Sequence, residues 1–305
     1  MTLLLLPLPG NENLADRLAR AIGEDAEVGE ATFRHFPDGE SYVRVLTPVR
    51  DRRVAVVGTL HRPDDKVLPL LFLAATVRDL GAASVGLVAP YLAYMRQDRR
   101  FLDGEGVTSS YFASLLSSVF DWLVTVDPHL HRHDSLAEIY RIPTEVVHAA
   151  PSVSAWIREH VERPVLVGPD AESAQWVRAV AAAAGAPCVV LEKVRRGDRD
   201  VSVSIPEVDR WRDHTPVLVD DIISTAGTMI ATAAHLRRAG FCTPVCVGVH
   251  AVFADEAYEA LVRAGAARVA TCNTIPHPSN AIDVTPELAD AVARASCAAL
   301  ASSVP

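Results

Sequence analysis

Val217-Leu218-Val219-Asp220-Asp221-Ile222-Ile223-Ser224-Thr225-Ala226-Gly227-Thr228 reads as an apolar strand that ends in two adjacent carboxylates, followed by a short loop of hydroxyl and small residues and then a helix. Backbone N–H groups at a helix N-terminus, with Ser and Thr hydroxyls beside them, form a cradle for an anion. Ala226 and Gly227 let the backbone come close to a ligand with no large side chain in the way. Asp220 and Asp221 suit the hydroxyls of a sugar beside a phosphate, or a cation bound to it. Ser224 alone would read as a helix cap and the aspartates alone as solvated. The complete string points to a phosphate site.

Working outward, the same rhythm fills the chain. Val54-Ala55-Val56-Val57 precedes a helical stretch at about 66–80, and Val85-Gly86-Leu87-Val88-Ala89 precedes one at about 109–119. Leu123-Val124-Thr125-Val126 follows. In the second half, Val165-Leu166-Val167 leads into a helix at about 172–185, Val189-Val190-Leu191 comes next, and residues 217–219 lead into a helix at about 228–240. Val245-Cys246-Val247-Gly248-Val249 and a strand ending near Ala270 complete the set. Unbroken apolar strands separated by helices predict an α/β fold with mainly parallel sheets flanked by helices. Ligands in such sheets bind beyond the carboxyl ends of the strands. Arg53-Val54-Ala55-Val56-Val57-Gly58 echoes Arg163-Pro164-Val165-Leu166-Val167-Gly168, which suggests two copies of one domain, 1–148 and 149–305.

Composition narrows the function. The chain has 305 residues, half of them hydrophobic and 22% charged, which suits a compact soluble protein. A net charge of −9 argues against nucleic acid as a partner. Met1-Thr2-Leu3-Leu4-Leu5-Leu6-Pro7 lacks a basic start and ends at a proline, so an opening strand is expected rather than a signal peptide. No apolar run approaches the roughly 20 residues of a membrane span. The five cysteines, Cys188, Cys242, Cys246, Cys272 and Cys297, read as reduced thiols of a cytoplasmic protein, and Cys242 with Cys246 lacks the second pair of a zinc site.

Four further stretches carry chemistry. Phe36-Pro37-Asp38-Gly39-Glu40 is turn-forming. Pro90-Tyr91-Leu92-Ala93-Tyr94-Met95-Arg96-Gln97-Asp98-Arg99-Arg100 sets three arginines after a strand, suited to a polyphosphate. Thr125-Val126-Asp127-Pro128-His129 places an imidazole at a strand end, where it suits a divalent cation. Asp170 follows another strand, and Glu192-Lys193-Val194-Arg195 follows a third. His129, His131 and His133 would share one face of a strand, which leaves a metal hydrolase as one alternative.

Taken together, these motifs resemble, in order and over nearly the whole chain, the ribose-phosphate pyrophosphokinase family. The 217–228 string resembles the 5-phosphoribosyl-diphosphate motif of the type I phosphoribosyltransferase fold, so two tandem phosphoribosyltransferase-like domains are implied. The resemblance assigns ribose 5-phosphate to Asp220, Asp221, Ser224, Thr225, Ala226, Gly227 and Thr228. It assigns ATP to Phe36, Asp38, Glu40, Arg96 and Gln97, with the Phe36 element supplied by a neighbouring subunit, so a homo-oligomer, a dimer or higher, is expected. His129 and Asp170 are implied as Mg²⁺ site residues, and Lys193 and Arg195 as the catalytic pair on a mobile loop reaching to about 203. The implied reaction moves diphosphate from Mg-ATP to C1 of ribose 5-phosphate across a cleft between the two domains. Ser224, in place of an Asp common in bacterial members, is similar to the archaeal-type subgroup. After Leu130 the pattern departs from the family, leaving His131 and His133 without an inherited role. A phosphoribosyltransferase and a non-catalytic regulatory homologue of the family are the alternatives.

Overall fold

Leu3, Leu4, Leu5 and Leu6 are buried on both faces of a sheet, as a parallel strand covered by helices on either side must be. The computed structural model describes residues 2–130, 132–168, 174–190, 192–196, 200–204 and 208–301, with the backbone alone at 192–196, 200–204, 208–209 and 300–301. In chain order the first part comprises β1 (Leu3–Pro7), α1 (Glu12–Ile22), β2 (Ala26–Val28), β3 (Ala31–His35), β4 (Ser41–Val45), β5 (Arg53–Val57), α2 (Asp64–Asp79), β6 (Ser84–Ala89), α3 (Thr108–Ser117), β7 (Trp122–Val126) and β8 (Thr144–Val147). Then come α4 (Ala150–His160), β9 (Pro164–Gly168), α5 (Ala174–Ala184), β10 (Cys188–Val190), β11 (Glu192–Arg196), β12 (Asp200–Ser204), β13 (Thr215–Ile223) and α6 (Gly227–Arg238). β14 (Val245–Ala251), α7 (Ala257–Arg263), β15 (Arg268–Cys272), β16 (Asn280–Ile282) and α8 (Thr285–Ala301) complete the chain.

Two parallel sheets result, with strand orders β2-β1-β5-β6-β7-β8 and β10-β9-β13-β14-β15-β16. Each half inserts an antiparallel hairpin, β3–β4 or β11–β12, between the second and third of its sheet strands along the chain. The expected α/β class and parallel sheets are therefore present. The echo between residues 53–58 and 163–168 is real in composition but misplaced in the fold. By sheet order, β5 corresponds to β13 and β9 to β1. Buried parallel strands share a composition, so composition cannot say which position each one takes.

The chain divides into two compact units, Met1–Val147 with Thr285–Pro305, and His148–Val284. The expectation that 149–305 stays together thus changes at its end, where α8 packs against α1, β6, β7 and β8. The reason is exposed apolar surface. Leu4, Leu6, Val54, Val56 and Leu87 pack with Leu70 and Leu73 of α2 and Phe112 and Leu116 of α3, covering one face of the first sheet. The opposite face, which includes Trp122, would lie open without α8, whose Leu288, Ala291 and Val292 are buried. Arg53 fastens the helix by donating to Ser296 Oγ at 3.4 Å and Cys297 Sγ at 3.1 Å, and Arg294 Nε donates to Glu145 at 2.9 Å. In the second unit, Leu218, Cys246, Met229, Ala233, Leu236 and Leu261 form the core between β13–β14 and α6–α7.

Gly86 sits in the middle of β6, opposite Trp122. A Cβ there would lie 1.9 Å from the Trp122 ring, so the indole occupies the volume of the missing side chain. Gly86→Ala is expected to lower the unfolding free energy of the first unit by about 3 kcal/mol, the upper range for overpacking. Trp122→Leu in the same chain should recover part of that loss. Thermal and urea unfolding of the two proteins checks both statements.

Candidate ribose-phosphate and nucleotide site

The expected phosphate loop lies where β13 turns into α6, but the strand runs further than the sequence suggested. Pairing with β14 continues through Asp220↔Gly248 and Ile222↔His250 to Ile223↔Ala251, so the two aspartates lie within the strand. Successive strand residues face opposite sides, so Asp220 and Asp221 leave the backbone in opposite directions. Gly248 makes this extension possible, because a Cβ there would meet Ile223 at 2.6 Å. Beyond Ile223 the turn is fastened from behind, by Phe253 N–H to Ile223 O at 2.8 Å and Ala254 N–H to Ser224 O at 3.1 Å. Ala226, at φ 57°, takes a left-handed conformation and precedes the first helical residue, Gly227. Thr225, Gly227 and Thr228 are exposed and Ser224 half-buried, so this turn presents hydroxyls and backbone to solvent.

In the first unit, hairpin β3–β4 packs Phe33 and Val43 against the core. Its tip is closed by Phe36 N–H to Glu40 O at 2.8 Å and Gly39 N–H to Phe36 O at 2.9 Å, with Gly39 at φ 93°. Asp38 accepts from the Glu40 N–H at 3.2 Å. Phe36 is 41% exposed, and the Arg34 guanidinium lies 4.6 Å from its ring centroid. The ring is therefore available to a flat ligand.

The loop after β6 holds Arg96 and Gln97. Gln97 donates to Glu105 Oε2 at 3.2 Å, and Glu105 also accepts from the N–H groups of Phe101 at 2.7 Å and Leu102 at 3.0 Å. Those backbone bonds, first of all, hold the Glu105 carboxyl below its ordinary range. Arg96 is exposed. Asp98 is buried and receives Arg132 Nη1 on both oxygens at 2.9 Å. Arg132 belongs to the segment after Leu130 that departs from the family pattern. In the same segment His133 Nδ1 lies 2.8 Å from Glu138, which gives this histidine a partner, while His131 lies outside the described residues.

His129 stands just past β7 at φ 58°, its N–H bonded to Asp127 O at 2.9 Å. Asp170 lies outside the described residues. Lys193 and Arg195 fall on β11, paired with Val203 and Val201 of β12, so the expected loop contains a paired hairpin; their side chains lie outside the described residues. Among the described residues, no group of three or more His, Cys, Asp and Glu is arranged to hold a metal, and no helix is long and apolar enough to cross a membrane.

Residues 3–119 match the model of the N-terminal domain of ribose phosphate pyrophosphokinase, and residues 135–287 match the phosphoribosyl transferase domain. A ribose-phosphate pyrophosphokinase of Methanothermobacter thermautotrophicus is 33% identical, over 90% of this chain and 96% of that protein. One from Methanopyrus kandleri is 35% identical, over 90% and 95%. The chain belongs to the ribose-phosphate pyrophosphokinase family. A crystal structure of the phosphoribosylpyrophosphate synthetase from Mycobacterium smegmatis superposes with a TM-score of 0.85 at 26% identity, covering 96% of this chain and 98% of that one. The second matched stretch stops at residue 287, close to where α8 leaves the second unit.

Sequence reasoning missed the supports of these family elements. Tyr94, at φ 62°, donates its hydroxyl to Asp64 Oδ1 and packs on Phe112, with ring centroids 4.7 Å apart. That hydrogen bond, with burial and the negative charge of Asp64 adding to it, pushes the Tyr94 phenol up to about 12. Tyr94 and Asp98 both stood inside a recognised string, but nothing local to it identifies Asp64 or Arg132 as partners.

Asp98→Ala would leave the Arg132 guanidinium without this carboxylate and free the arginine loop from the segment after β7. Because Arg132 is part-exposed, the loss should fall below the range for fully buried pairs, at about 2 kcal/mol of unfolding free energy. Asp98→Asn, which keeps the shape and one acceptor, should lose less. Equilibrium denaturation of the two variants tests the ordering; equal losses would show that the charge is not what counts.

Proposed function

We propose that the protein transfers the terminal diphosphate of ATP to the C1 hydroxyl of ribose 5-phosphate, forming 5-phosphoribosyl 1-diphosphate and AMP. The observation that carries the sugar-phosphate half is the β13–α6 turn, where a left-handed Ala226 leads into a helix N-terminus lined by Ser224, Thr225 and Thr228. Such a terminus offers N–H donors and a positive dipole end to a phosphate. Asp220 and Asp221 are assigned to the ribose hydroxyls.

ATP binding is assigned to the first unit. Phe36 offers a ring face to adenine, Asp38 and Glu40 offer carboxylates to its polar edge, and Arg96 with Gln97 takes phosphate oxygens. Family membership, together with these elements, favours diphosphate transfer over a simple phosphoribosyltransferase, which would have no use for a nucleotide hairpin.

In the reaction the C1 oxygen forms a bond to the β-phosphorus while the bond from that phosphorus to the α-phosphate oxygen breaks. The leaving electron pair stays on AMP, and the C1 hydroxyl proton passes to water. Such transfers need alignment and charge neutralisation more than covalent help. Lys193 and Arg195 are assigned to donate to the oxygens on which charge builds. Mg²⁺ fits this chemistry because it keeps waters and phosphate oxygens as ligands and needs one or two protein donors, here His129 and Asp170, rather than a full cage. When bound, Mg²⁺ neutralises charge on the nucleotide phosphates.

We also propose a homo-oligomer. The first unit exposes Leu68 and Phe72 on α2, Tyr111 and Leu115 on α3, and Phe101 and Leu102 on the arginine loop, apolar surface of the kind that subunits cover. The cytoplasm is the proposed location, supported by the free thiols of Cys188, Cys242, Cys246 and Cys297.

Incubation with ATP, Mg²⁺ and ribose 5-phosphate should yield equal amounts of AMP and 5-phosphoribosyl 1-diphosphate. Lys193→Ala should cut kcat by roughly 10²–10³, as removal of one transition-state donor does, with little change in KM. Inorganic phosphate and ADP as the products would defeat the proposal. Binding of both substrates without turnover would mark a non-catalytic member of the family.

A further inference from the structure

Strands β5 and β13 are each third in their sheets, and each runs through a short turn into a helix. Both turns hold one left-handed residue just before the helix, Arg62 at φ 49° and Ala226 at φ 57°. Both are held by the neighbouring strand's continuation, the first through Leu60 N–H to Tyr91 O at 2.9 Å and the second through Phe253 N–H to Ile223 O at 2.8 Å. The first-unit turn therefore occupies the place of the phosphate loop, although the transfer reaction gives it no task.

Its side chains are not those of an idle connection. Lys66 Nζ donates to Thr59 O at 3.0 Å and lies 3.1 Å from His61 Nδ1, with Arg62 beside them on the same turn. Of the 29 Lys and Arg residues, only Lys66 and Lys193 are lysines. Everywhere else this chain meets its need for positive charge with a guanidinium. At these two positions it keeps a compact ammonium, which binds phosphate as a point charge and can lose its proton. Lys193 has an assigned part in the transfer; Lys66 has none.

We propose that residues 58–66 form a second anion site, in which His61, Arg62 and Lys66 bind a phosphate dianion, either inorganic phosphate or the phosphate of a sugar monoester. Side chains supply here what backbone supplies in the second unit, since Pro63 has no N–H at the helix entry that Gly227 provides in the other turn. Electrostatics agree with this placement. Burial, then the Lys66 and Arg62 charges, push the His61 imidazole down to about 4, and burial, then Arg62, pushes the Lys66 ammonium down to about 8. Positive charge is thus crowded and poorly solvated in the turn, a situation an anion relieves. Asp64 and Asp65 open α2 and oppose an anion, but Asp64 is engaged by the Tyr94 hydroxyl.

Only the analogy between the turns rests on the reading of residues 220–228; the cation cluster stands apart from it. The test titrates inorganic phosphate into the full-length protein by calorimetry, with and without saturating ribose 5-phosphate. One equivalent of phosphate should still bind when the sugar is present, and Arg62→Asn and Lys66→Gln should each weaken it about tenfold, as loss of a charged donor does. Asn tolerates the left-handed conformation, so Arg62→Asn remains informative should Lys66→Gln fold poorly. A second equivalent of ribose 5-phosphate, displaced by phosphate and lost in Arg62→Asn, would support the site and assign it to a sugar monoester. With only two lysines in the chain, peptide mass spectrometry can follow acetylation of Lys66 by itself, and phosphate should slow it in the wild type. Phosphate binding that ignores both substitutions overturns the proposal, as does phosphate binding that vanishes with saturating sugar while ribose 5-phosphate binds with only one equivalent. A protein that fails to bind ribose 5-phosphate but keeps the Arg62-sensitive phosphate would instead defeat the assignment of residues 220–228 and leave this one standing.

Discussion

Parallel strands deliver their C-terminal ends to one edge of a sheet, and the chain can return only by turning into a helix at that edge. The turn after β13 meets this demand with one unfavourable conformation. An L-residue in the left-handed region costs about 1–2 kcal/mol, and Ala226 adopts it while buried. Neighbouring bonds hold it there. Ile230 N–H closes the first helical turn onto Ala226 O at 2.9 Å, and the strand continuation of β14 holds Ile223 and Ser224 from behind. The Ile223 side chain fills the space beside Gly248, where a Cβ would meet it at 2.6 Å. A missing Cβ on the neighbouring strand, opposite Asp220, thus leaves room for the residue that leads into the turn.

The same constraint operates in both units, because both sheets follow one strand order. What differs is the chemistry placed at equivalent turns and in the inserted hairpins. The first hairpin carries Phe36, Asp38 and Glu40 around its tip, and the second carries Lys193 and Arg195 two positions apart along β11. One architectural device, a two-stranded excursion between the second and third strands, thus bears the proposed adenine contacts in one unit and the proposed transfer pair in the other.

Much of this was legible in the sequence because strands buried on both faces must be continuous runs of Val, Leu and Ile, and the five-residue runs at 53–57 and 122–126 are buried throughout. Helices α2 and α6 began within two residues of their expected starts for a similar reason, since each follows a strand end with few residues to spare. Long-range choices left no local mark. α8 has the apolar positions of a helix that covers a sheet, but nothing in residues 285–301 says which sheet. β13 was expected to end in Asp220 and Asp221; the partner strand β14 carries the pairing on to Ile223. The stretch from 195 to about 203 looked like a loop because its charged residues leave no apolar run to read as a strand. The family motifs identified which residues to watch, while their supports came from distant segments.

Those supports decide how the arginine loop can act. A guanidinium on a free loop would lose side-chain and backbone entropy each time it met a phosphate. Here Tyr94 is fastened to Asp64 at the start of α2, Asp98 to Arg132 beyond β7, and Glu105 gathers the N–H groups of Phe101 and Leu102 together with the Gln97 amide. Three separate attachments therefore fix the backbone on both sides of Arg96. The segment after β7, where the chain departs from its family, supplies one of the three through Arg132. Its divergence therefore leaves it attached to the arginine loop.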